Sequence, residues 1–270
     1  MELTGNVVLA GDWHGNAPQA FNVIDYAVRE GIKTIIQLGD FGIWEDDKPY
    51  LIKLEKRLAE HDIVLYFIDG NHENFPRLYA KKIGEDGTRK VRDHIFHLPR
   101  GFRFTWEGYS VLALGGAASI DKPFRRKGHS WWPEELLTED DVQAAIAGGK
   151  VDILLAHDSP LTAPNSVADD PYGQAEASRY FGGDMVMMCN EHRRQLQRVT
   201  DVVTPRLVFH GHYHMAMSGP FRHEDEARTL AYVYGLDQGT GRLGRHTLVL
   251  KKDWAVEALS SLTTRNNLIY

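Results

Sequence analysis

The chain contains repeated short runs of β-branched and aliphatic residues, and each run ends in a cluster of polar or glycine residues. Such runs are typical of strands buried on both faces. Five of the six runs are followed by histidine, aspartate or asparagine, which are side chains able to bind metals. The runs cover residues 6–10, 34–38, 63–68, 111–114, 151–155 and 207–209.

Helical spacing of apolar residues appears between these runs. It predicts a helix over residues 18–30, which Gly31 is placed to end. Leucines at the same spacing predict a second helix over residues 51–58. Thr138 and Asp141 have the spacing of a capping box, which predicts the start of a third helix.

The alternation of strands and helices predicts a layered α/β fold, in which ligands bind beyond the carboxyl ends of the strands. The polar clusters fall at those ends. Two further strands are predicted at residues 230–235 and 246–250, and a loop over the site at about residues 116–135. Since no repeat or long linker divides the chain, residues 1–270 are expected to form one domain.

Composition narrows the choice of compartment and partner. The net charge of −6 speaks against stable binding of duplex nucleic acid, which depends on clustered Lys and Arg. Cys189 is the only cysteine, and residues 1–10 lack the layout of a secretory signal. The apolar runs are far shorter than the about 20 residues that cross a bilayer. A cytoplasmic protein without membrane partners is therefore expected.

The polar clusters together offer the ligands of a metal site. Imidazole and carboxylate bind manganese, iron or zinc, and two ions about 3.5–4 Å apart can hold both oxygens of a phosphoryl transfer. Taken singly, each aspartate is better explained by loop capping, and each histidine by a hydrogen bond in the core. The occurrence of all seven candidate residues in order along the chain favours the metal site. The candidate ligands are Asp12, His14, Asp40, Asn71, His157, His212 and His214.

In this order, the five clusters resemble the calcineurin-like metallophosphoesterase superfamily. Its motifs run Asp-x-His, Gly-Asp, Gly-Asn-His-Asp/Glu, His and Gly-His-x-His, and all five are intact between Gly11 and His214. The resemblance implies a layered β-sandwich of two mixed sheets flanked by helices, with two metal ions at the carboxyl ends of strands. It also implies in-line attack by a hydroxide that bridges the ions, with His72 as the proton donor.

The resemblance further assigns the ligands to the two ions. Asp12, His14 and His214 hold the first ion, and Asp40 bridges both. The second ion is held by Asn71, His157 and His212.

The protein Ser/Thr phosphatase branch of this superfamily differs at two motifs. There, Gly-Asp is followed by x-Val-Asp-Arg-Gly and Gly-Asn-His-Glu is preceded by Arg, whereas residues 41–43 and Asp69 stand at those places here. The arginines that grip phosphate in that branch are therefore missing. The acid that orients the proton donor is also missing, which leaves Glu45 or Asp158 as candidates to support His72.

The loop at about residues 116–135 resembles that of small bacterial and phage-encoded members. Its cationic side chains suit a phosphate or ribose, and its tryptophans suit stacking on a base. Alternatively, the tryptophans pin the loop to the core while the charges stay solvated. The candidate substrate-binding residues are Lys122, Arg125, Arg126, Trp131 and Trp132.

The expected activity is that of a metal-dependent phosphodiesterase on small substrates such as 2′,3′-cyclic nucleotides. A phosphomonoesterase or protein phosphatase would use the same metals, but the missing arginines count against it. The acidic charge counts against a nuclease. A non-catalytic scaffold would not need every ligand together with His72. Manganese is the first expectation for the two ions, with iron, zinc or nickel as alternatives; the oligomeric state is left open.

Overall fold

The structure, a computed structural model, describes residues 1–222, 230–238 and 243–258. It contains two sheets of seven strands each. The first has the order β1 (Glu2–Leu3), β7 (Phe102–Trp106), β8 (Tyr109–Leu114), β9 (Ile153–Ala156), β10 (Leu207–His210), β12 (Leu230–Gly235) and β11 (Met217–Arg222). The second has the order β14 (Val256–Ala258), β13 (Thr247–Leu250), β2 (Val7–Ala10), β3 (Thr34–Gln37), β4 (Val64–Phe67), β6 (Ile95–His97) and β5 (Arg89–Arg92).

Both sheets are mixed, with a parallel centre and antiparallel pairs toward their edges. Strands β8, β9, β10 and β12 run parallel in the first sheet, and β2, β3, β4 and β6 run parallel in the second. In the second sheet, Val8 lies opposite Ile35, which in turn lies opposite Leu65. The carboxyl ends of each parallel set therefore lie at one edge of the sheet.

Helices cover the outer faces of the sandwich. Helix α1 (Ala17–Arg29) begins where the Asn16 side chain accepts the N–H of Gln19 at 3.2 Å, and it ends before Gly31, whose φ is +67°. Thr138 and Asp141 form the predicted capping box. None of the described helices is long and apolar enough to span a membrane. The helices are α1 (Ala17–Arg29), α2 (Lys48–His61), α3 (Phe75–Tyr79), α4 (Glu139–Ala147), α5 (Pro171–Phe181), α6 (Gly183–Val203) and α7 (Leu243–His246).

The core consists of three layers of apolar side chains, because the central strands are buried on both faces. In β2, Val7 and Leu9 point into the layer between the two sheets. Val8 and Ala10 point into the layer beneath α1 and α2. A third layer lies between the first sheet and helices α4 and α6. This double burial explains why the strand runs are apolar without alternation.

The predicted sandwich of two mixed sheets flanked by helices is confirmed. All six predicted strands are present, as are the three predicted helices and both tail strands. One difference is that His246 ends the short helix α7, so that β13 begins at Thr247. A single domain over residues 1–270 stays a prediction, since residues 259–270 lie outside the described ranges.

A buried ion pair fixes the loop that follows β4. The carboxylate of Asp69 lies 2.9 Å from Nε of Arg100 and 3.0 Å from Nε2 of His97. Burial works to raise the pKa of Asp69, but Arg100 and His97 hold it well below its usual range. Arg100 also donates to the carbonyls of Glu134 and Leu136, at 2.8 and 2.7 Å. It thereby joins the loop after β4 to the end of the loop at residues 116–135.

We expect Arg100→Met to lower the free energy of unfolding by about 3–5 kcal/mol, because it leaves the Asp69 carboxylate buried without its main partner. Urea denaturation followed by circular dichroism measures this loss. Lys90→Met is the matched control: it breaks a solvent-exposed pair between Lys90 and Asp93, whose side chains are 61% and 77% exposed, and it should cost far less than Arg100→Met. Equal losses in the two variants would contradict the anchoring role of Arg100.

Candidate metal centre

The seven candidate ligands come together where the strands of both sheets end. Asp12 and His14 follow β2, Asp40 follows β3, and Asn71 follows β4 in the second sheet. His157 comes directly after β9 of the first sheet. The remaining two, His212 and His214, follow β10. The site thus lies across the adjoining edges of the sandwich, and it depends on the two sheets being packed in register.

Four of these side chains form one compact group. Suitable ligand atoms of Asp12, His14, Asp40 and His214 all lie within 4.8 Å of one another. Nε2 of His214 is 3.1 Å from both Oδ2 of Asp12 and Nε2 of His14. The aspartates are buried, whereas the side chains of His14 and His214 are 23% and 38% exposed. The group is therefore open to solvent on its histidine side.

Asn71 and His157 form a second group that meets the first at Asp40. Nε2 of His157 lies 3.1 Å from Oδ1 of Asn71 and 3.5 Å from Oδ2 of Asp40. On its other side, Nδ1 of His157 lies 2.6 Å from the carbonyl oxygen of Leu38, the arrangement expected for a donated hydrogen bond that fixes a metal ligand. The ring of His212 lies 5.2 Å from that of His157, centroid to centroid.

The electrostatics of this region favour bound cations. Burial works to raise the pKa of Asp40, but the imidazoles of His157, His72 and His14 hold it well below its usual value. Burial works to lower the pKa of His157, yet Asp40 raises it to about 10. Burial lowers the pKa of His212 to about 4, which leaves the neutral imidazole that metal binding requires. Positive charge is thus stabilised between Asp40 and His157, and the donor set fits divalent ions.

The backbone at the ligands is held in an uncommon conformation. His14, Asp40, His212 and His214 have φ values of +46°, +55°, +70° and +52°, in the left-handed region that residues with side chains rarely adopt. Such strain persists only where the surroundings enforce it, and it concentrates at functional sites. At Gly70, a side chain would clash with the carboxylate and backbone of Asp40, so glycine is required there.

His72 lies next to this centre. Its backbone N–H donates to Oδ1 of Asp40 at 2.8 Å, and its ring is 5.0 Å from that of His14. The guanidinium of Arg125 lies against the ring, with Nη2 2.8 Å from Nδ1 of His72 and in contact with Nε2. Burial lowers the pKa of His72 to about 4, with Asp40 opposing the shift and Arg125 adding to it. The neutral ring can accept a hydrogen bond from Arg125.

Neither acid predicted as a support for His72 contacts its ring. Asp158 is held elsewhere: its carboxylate lies 2.8 Å from Nδ1 of His192 and accepts the hydroxyl of Tyr213 at 2.6 Å. Glu45 is exposed and lines a cavity with His72, without a hydrogen bond to it within the described residues. Within the described residues, the side chain that contacts the His72 ring is that of Arg125.

The loop at residues 116–135 runs beside the centre, as predicted, and its candidate residues have different surroundings. Lys122 lies over the ring of Trp131, with Nζ 4.5 Å from the ring centroid. Trp131 and Trp132 are 8% and 9% exposed, which favours packing, although Trp132 also lines the cavity beside His72. Arg126 is exposed, whereas the Arg125 side chain is 7% exposed and pairs through Nε with Asp121 at 2.8 Å.

Supporting residues of the centre were missed from the sequence. Nδ2 of Asn71 donates to Oγ of Ser119 at 2.9 Å, and Ser119 donates to Glu135 at 2.6 Å, so Oδ1 of Asn71 is turned toward His157. Similarly, Nε1 of Trp44 donates to the carbonyl of His72 at 2.9 Å. Glu135 and Trp44 lie in segments without strand or helix periodicity, where no spacing signals such contacts.

Two cavities adjoin the centre on different sides. One, of about 490 Å³ and called the polar cavity below, is lined mainly by polar and charged residues, among them His72, Arg125 and Asp121, together with Trp132. The other, of about 270 Å³, has mainly apolar walls and includes the candidate ligand His212. A substrate held at the centre therefore has space for groups on two sides.

Comparison with known proteins gives the chain a family. The sequence profile described as calcineurin-like phosphoesterase matches residues 5–216. The solved structure of TT1561 from Thermus thermophilus gives a TM-score of 0.55 at 12% identity, covering 94% of this chain and 97% of that chain. A dimetal phosphatase from Danio rerio gives 0.53 at 13% identity, covering 92% of each. At such identities these structures show a shared fold only.

No curated protein matches the chain. The family match nevertheless spans every candidate ligand and most of the chain. Together with the cluster of Asp12, His14, Asp40 and His214, it indicates a site for two divalent metal ions. The chain belongs to the calcineurin-like phosphoesterase family, whose members hydrolyse phosphate esters.

Proposed function

We propose that this protein is a phosphodiesterase that uses two divalent metal ions to cleave small phosphate diesters. The observation that supports the proposal is the compact group of Asp12, His14, Asp40 and His214, whose buried Asp40 carboxylate also lies 3.5 Å from His157, with a cavity on either side. A scaffold without catalysis has no need to keep every candidate ligand together with His72.

In this proposal, the ligands divide between the two ions as the family resemblance implies. Asp12, His14 and His214 hold one ion, and Asp40 contributes to both. Ions bound there would lower the pKa of a bound water enough for it to act as the nucleophile near neutral pH. Manganese is proposed first, because carboxylate and amide oxygens stand beside the imidazoles. The other ion is held by Asn71, His157 and His212.

In this proposal, residues around the ions bind the phosphate and donate a proton to the leaving oxygen. Arg125 is positioned to bind a phosphate oxygen, since its buried guanidinium already lies beside His72. It takes the place of the arginines that the phosphatase motifs lack. His72 is the proposed donor of a proton to the leaving oxygen. An anionic substrate beside the ring favours its protonated form.

A diester is preferred over a monoester because both cavities have residues to contact a substituent. A 2′,3′-cyclic nucleotide is the first candidate, since it is a small diester whose single nucleoside carries a base and a ribose that a cavity wall can contact. The position of Arg125 favours a monoesterase as the second candidate, since a guanidinium binds terminal phosphate oxygens well. With a net charge of −6 and no membrane-spanning helix among the described residues, a cytoplasmic enzyme for small substrates is proposed.

The proposal is tested by stripping metal from the protein and adding back manganese, zinc, nickel or none. We expect hydrolysis of bis(4-nitrophenyl) phosphate to return with metal and to exceed that of 4-nitrophenyl phosphate. A higher monoesterase rate would favour the second candidate. Failure of every metal to restore either rate, with metal binding confirmed, would support a scaffold.

Asp40→Asn should reduce both metal content and turnover, because the Asp40 carboxylate lies between the two ligand groups, 3.7 Å from Nε2 of His14 and 3.5 Å from Nε2 of His157. The loss should exceed the roughly 10- to 100-fold that follows removal of a residue supporting a ligand. Elemental analysis and initial rates measure it. Asp93→Asn, at an exposed position, is the control and should keep both values. Full metal content in Asp40→Asn would argue against a shared ligand.

His72→Ala should slow a diester with an alkoxide leaving group by about 10²–10⁴-fold, the usual contribution of a general acid. A nitrophenyl diester should lose less, because nitrophenolate leaves without a proton. His61→Ala is the control, since His61 ends α2 at the opposite end of the strands from the site. If both substrates slowed equally at unchanged metal content, His72 would have a positioning role instead.

A further inference from the structure

The cavity of about 270 Å³ beside His212 is not explained by metal binding. Its walls come from the loop at residues 116–135, from helices α5 and α6, and from the segment that precedes α5. Ile120, Val167, Ala177 and Val186 give it an apolar lining, and the ring of Tyr213 lies beside them. A half-open cavity with apolar walls next to a cluster of polar side chains is typical of a ligand pocket.

One wall of the cavity is held in place by buried polar contacts. Arg193 is 2% exposed and lies in α6, where its guanidinium donates to the carbonyls of Ser159 and Leu161 at 3.3 and 3.1 Å. It also pairs with Asp169 at 3.2 Å. The Asn165 side chain accepts two backbone N–H groups of the same segment, at 3.0 and 2.9 Å. The pocket is therefore formed before a ligand binds.

The tyrosine of this pocket is fixed as well. Its hydroxyl donates to Asp158 at 2.6 Å, and the Tyr213 ring lies 4.9 Å from that of His212, centroid to centroid. The flat, uncharged ring of Tyr213 therefore lines the side of the centre that bears His212. The amides of Gln174 and Asn190 also line the pocket, and that of Asn190 is suited to the heteroatoms of a ring edge.

The loop at residues 116–135 separates this pocket from the polar cavity. Ile120 lines the apolar side, and the next residue, Asp121, lines the polar side together with His72 and Arg125. A leaving group beside His72 therefore lies in the polar cavity. The substituent that stays on phosphorus is directed to the other side, toward His212.

We propose that the pocket beside His212 binds an uncharged aromatic ring on the substituent that stays on phosphorus, such as a nucleobase or an aryl group. The inference rests on the proposed diesterase function. The pocket selects the substrate by burying this ring against Tyr213 and the apolar wall. A methyl substituent leaves the pocket unfilled, so the substrate loses the binding free energy that burial of the ring would contribute.

The test compares two diesters with the same leaving group, phenyl 4-nitrophenyl phosphate and methyl 4-nitrophenyl phosphate. Wild-type kcat/KM should be at least about tenfold higher for the phenyl ester. Ala177→Phe fills the pocket and should bring the ratio close to one. Ala175→Phe makes the same change on the exposed side of α5 and should keep the wild-type ratio. A wild-type ratio near one, or an unchanged ratio in Ala177→Phe, would overturn the proposal.

Binding gives a second readout that does not depend on turnover. Calorimetry with phenylphosphonate and methylphosphonate, which the enzyme cannot hydrolyse, should show at least about tenfold tighter binding of the phenyl compound to the metallated protein. If neither diester were hydrolysed, the proposed function would fail, and this comparison would still decide the pocket. Equal affinities would overturn it, and tighter phenyl binding would support it.

Discussion

The carboxyl group and backbone of Asp40 hold the centre together. Its carbonyl oxygen accepts the N–H groups of Trp13 and His14 at 3.1 and 2.7 Å, which ties the first motif to the second. Its carboxylate accepts the N–H of His72 at 2.8 Å and lies 3.5 Å from His157, which adds the third and fourth motifs. A single buried anion therefore orients chain segments from both sheets.

This arrangement requires left-handed backbone conformations, which are unfavourable for residues that carry a side chain. Asp40 is left-handed, and the segment after it is held by Glu73, whose carboxylate accepts the N–H groups of Phe41 and Ile43 at 2.6 and 2.8 Å. Burial raises the pKa of Glu73 to about 8. The last acid of the Gly-Asn-His-Glu motif thus has a structural explanation: it fixes the turn that directs Asp40 inward.

The parts of the fold that were predictable are those encoded by local pattern. The six strands are marked by their apolar runs, and the helix after Thr138 is marked by its capping box. The metal motifs are short, and they follow one another along the chain in the order typical of the family. Helix α5 was missed because none of its residues is buried, so no apolar spacing marks it. Strand β5 (Arg89–Arg92) is mostly polar and lies at a sheet edge. Partners such as Arg100 for Asp69 are set by tertiary packing, which local pattern does not contain.

The loop at residues 116–135 links metal binding to substrate choice. Ser119 orients the amide of Asn71 through a chain of hydrogen bonds that ends at Glu135, and the neighbouring Ile120 and Asp121 shape the two cavities. Because these residues are consecutive, a shift of the loop that alters a cavity wall also turns a candidate ligand. Substrate preference is therefore constrained by metal binding, because a loop change that suits a new substituent must also preserve the Ser119 contact with Asn71.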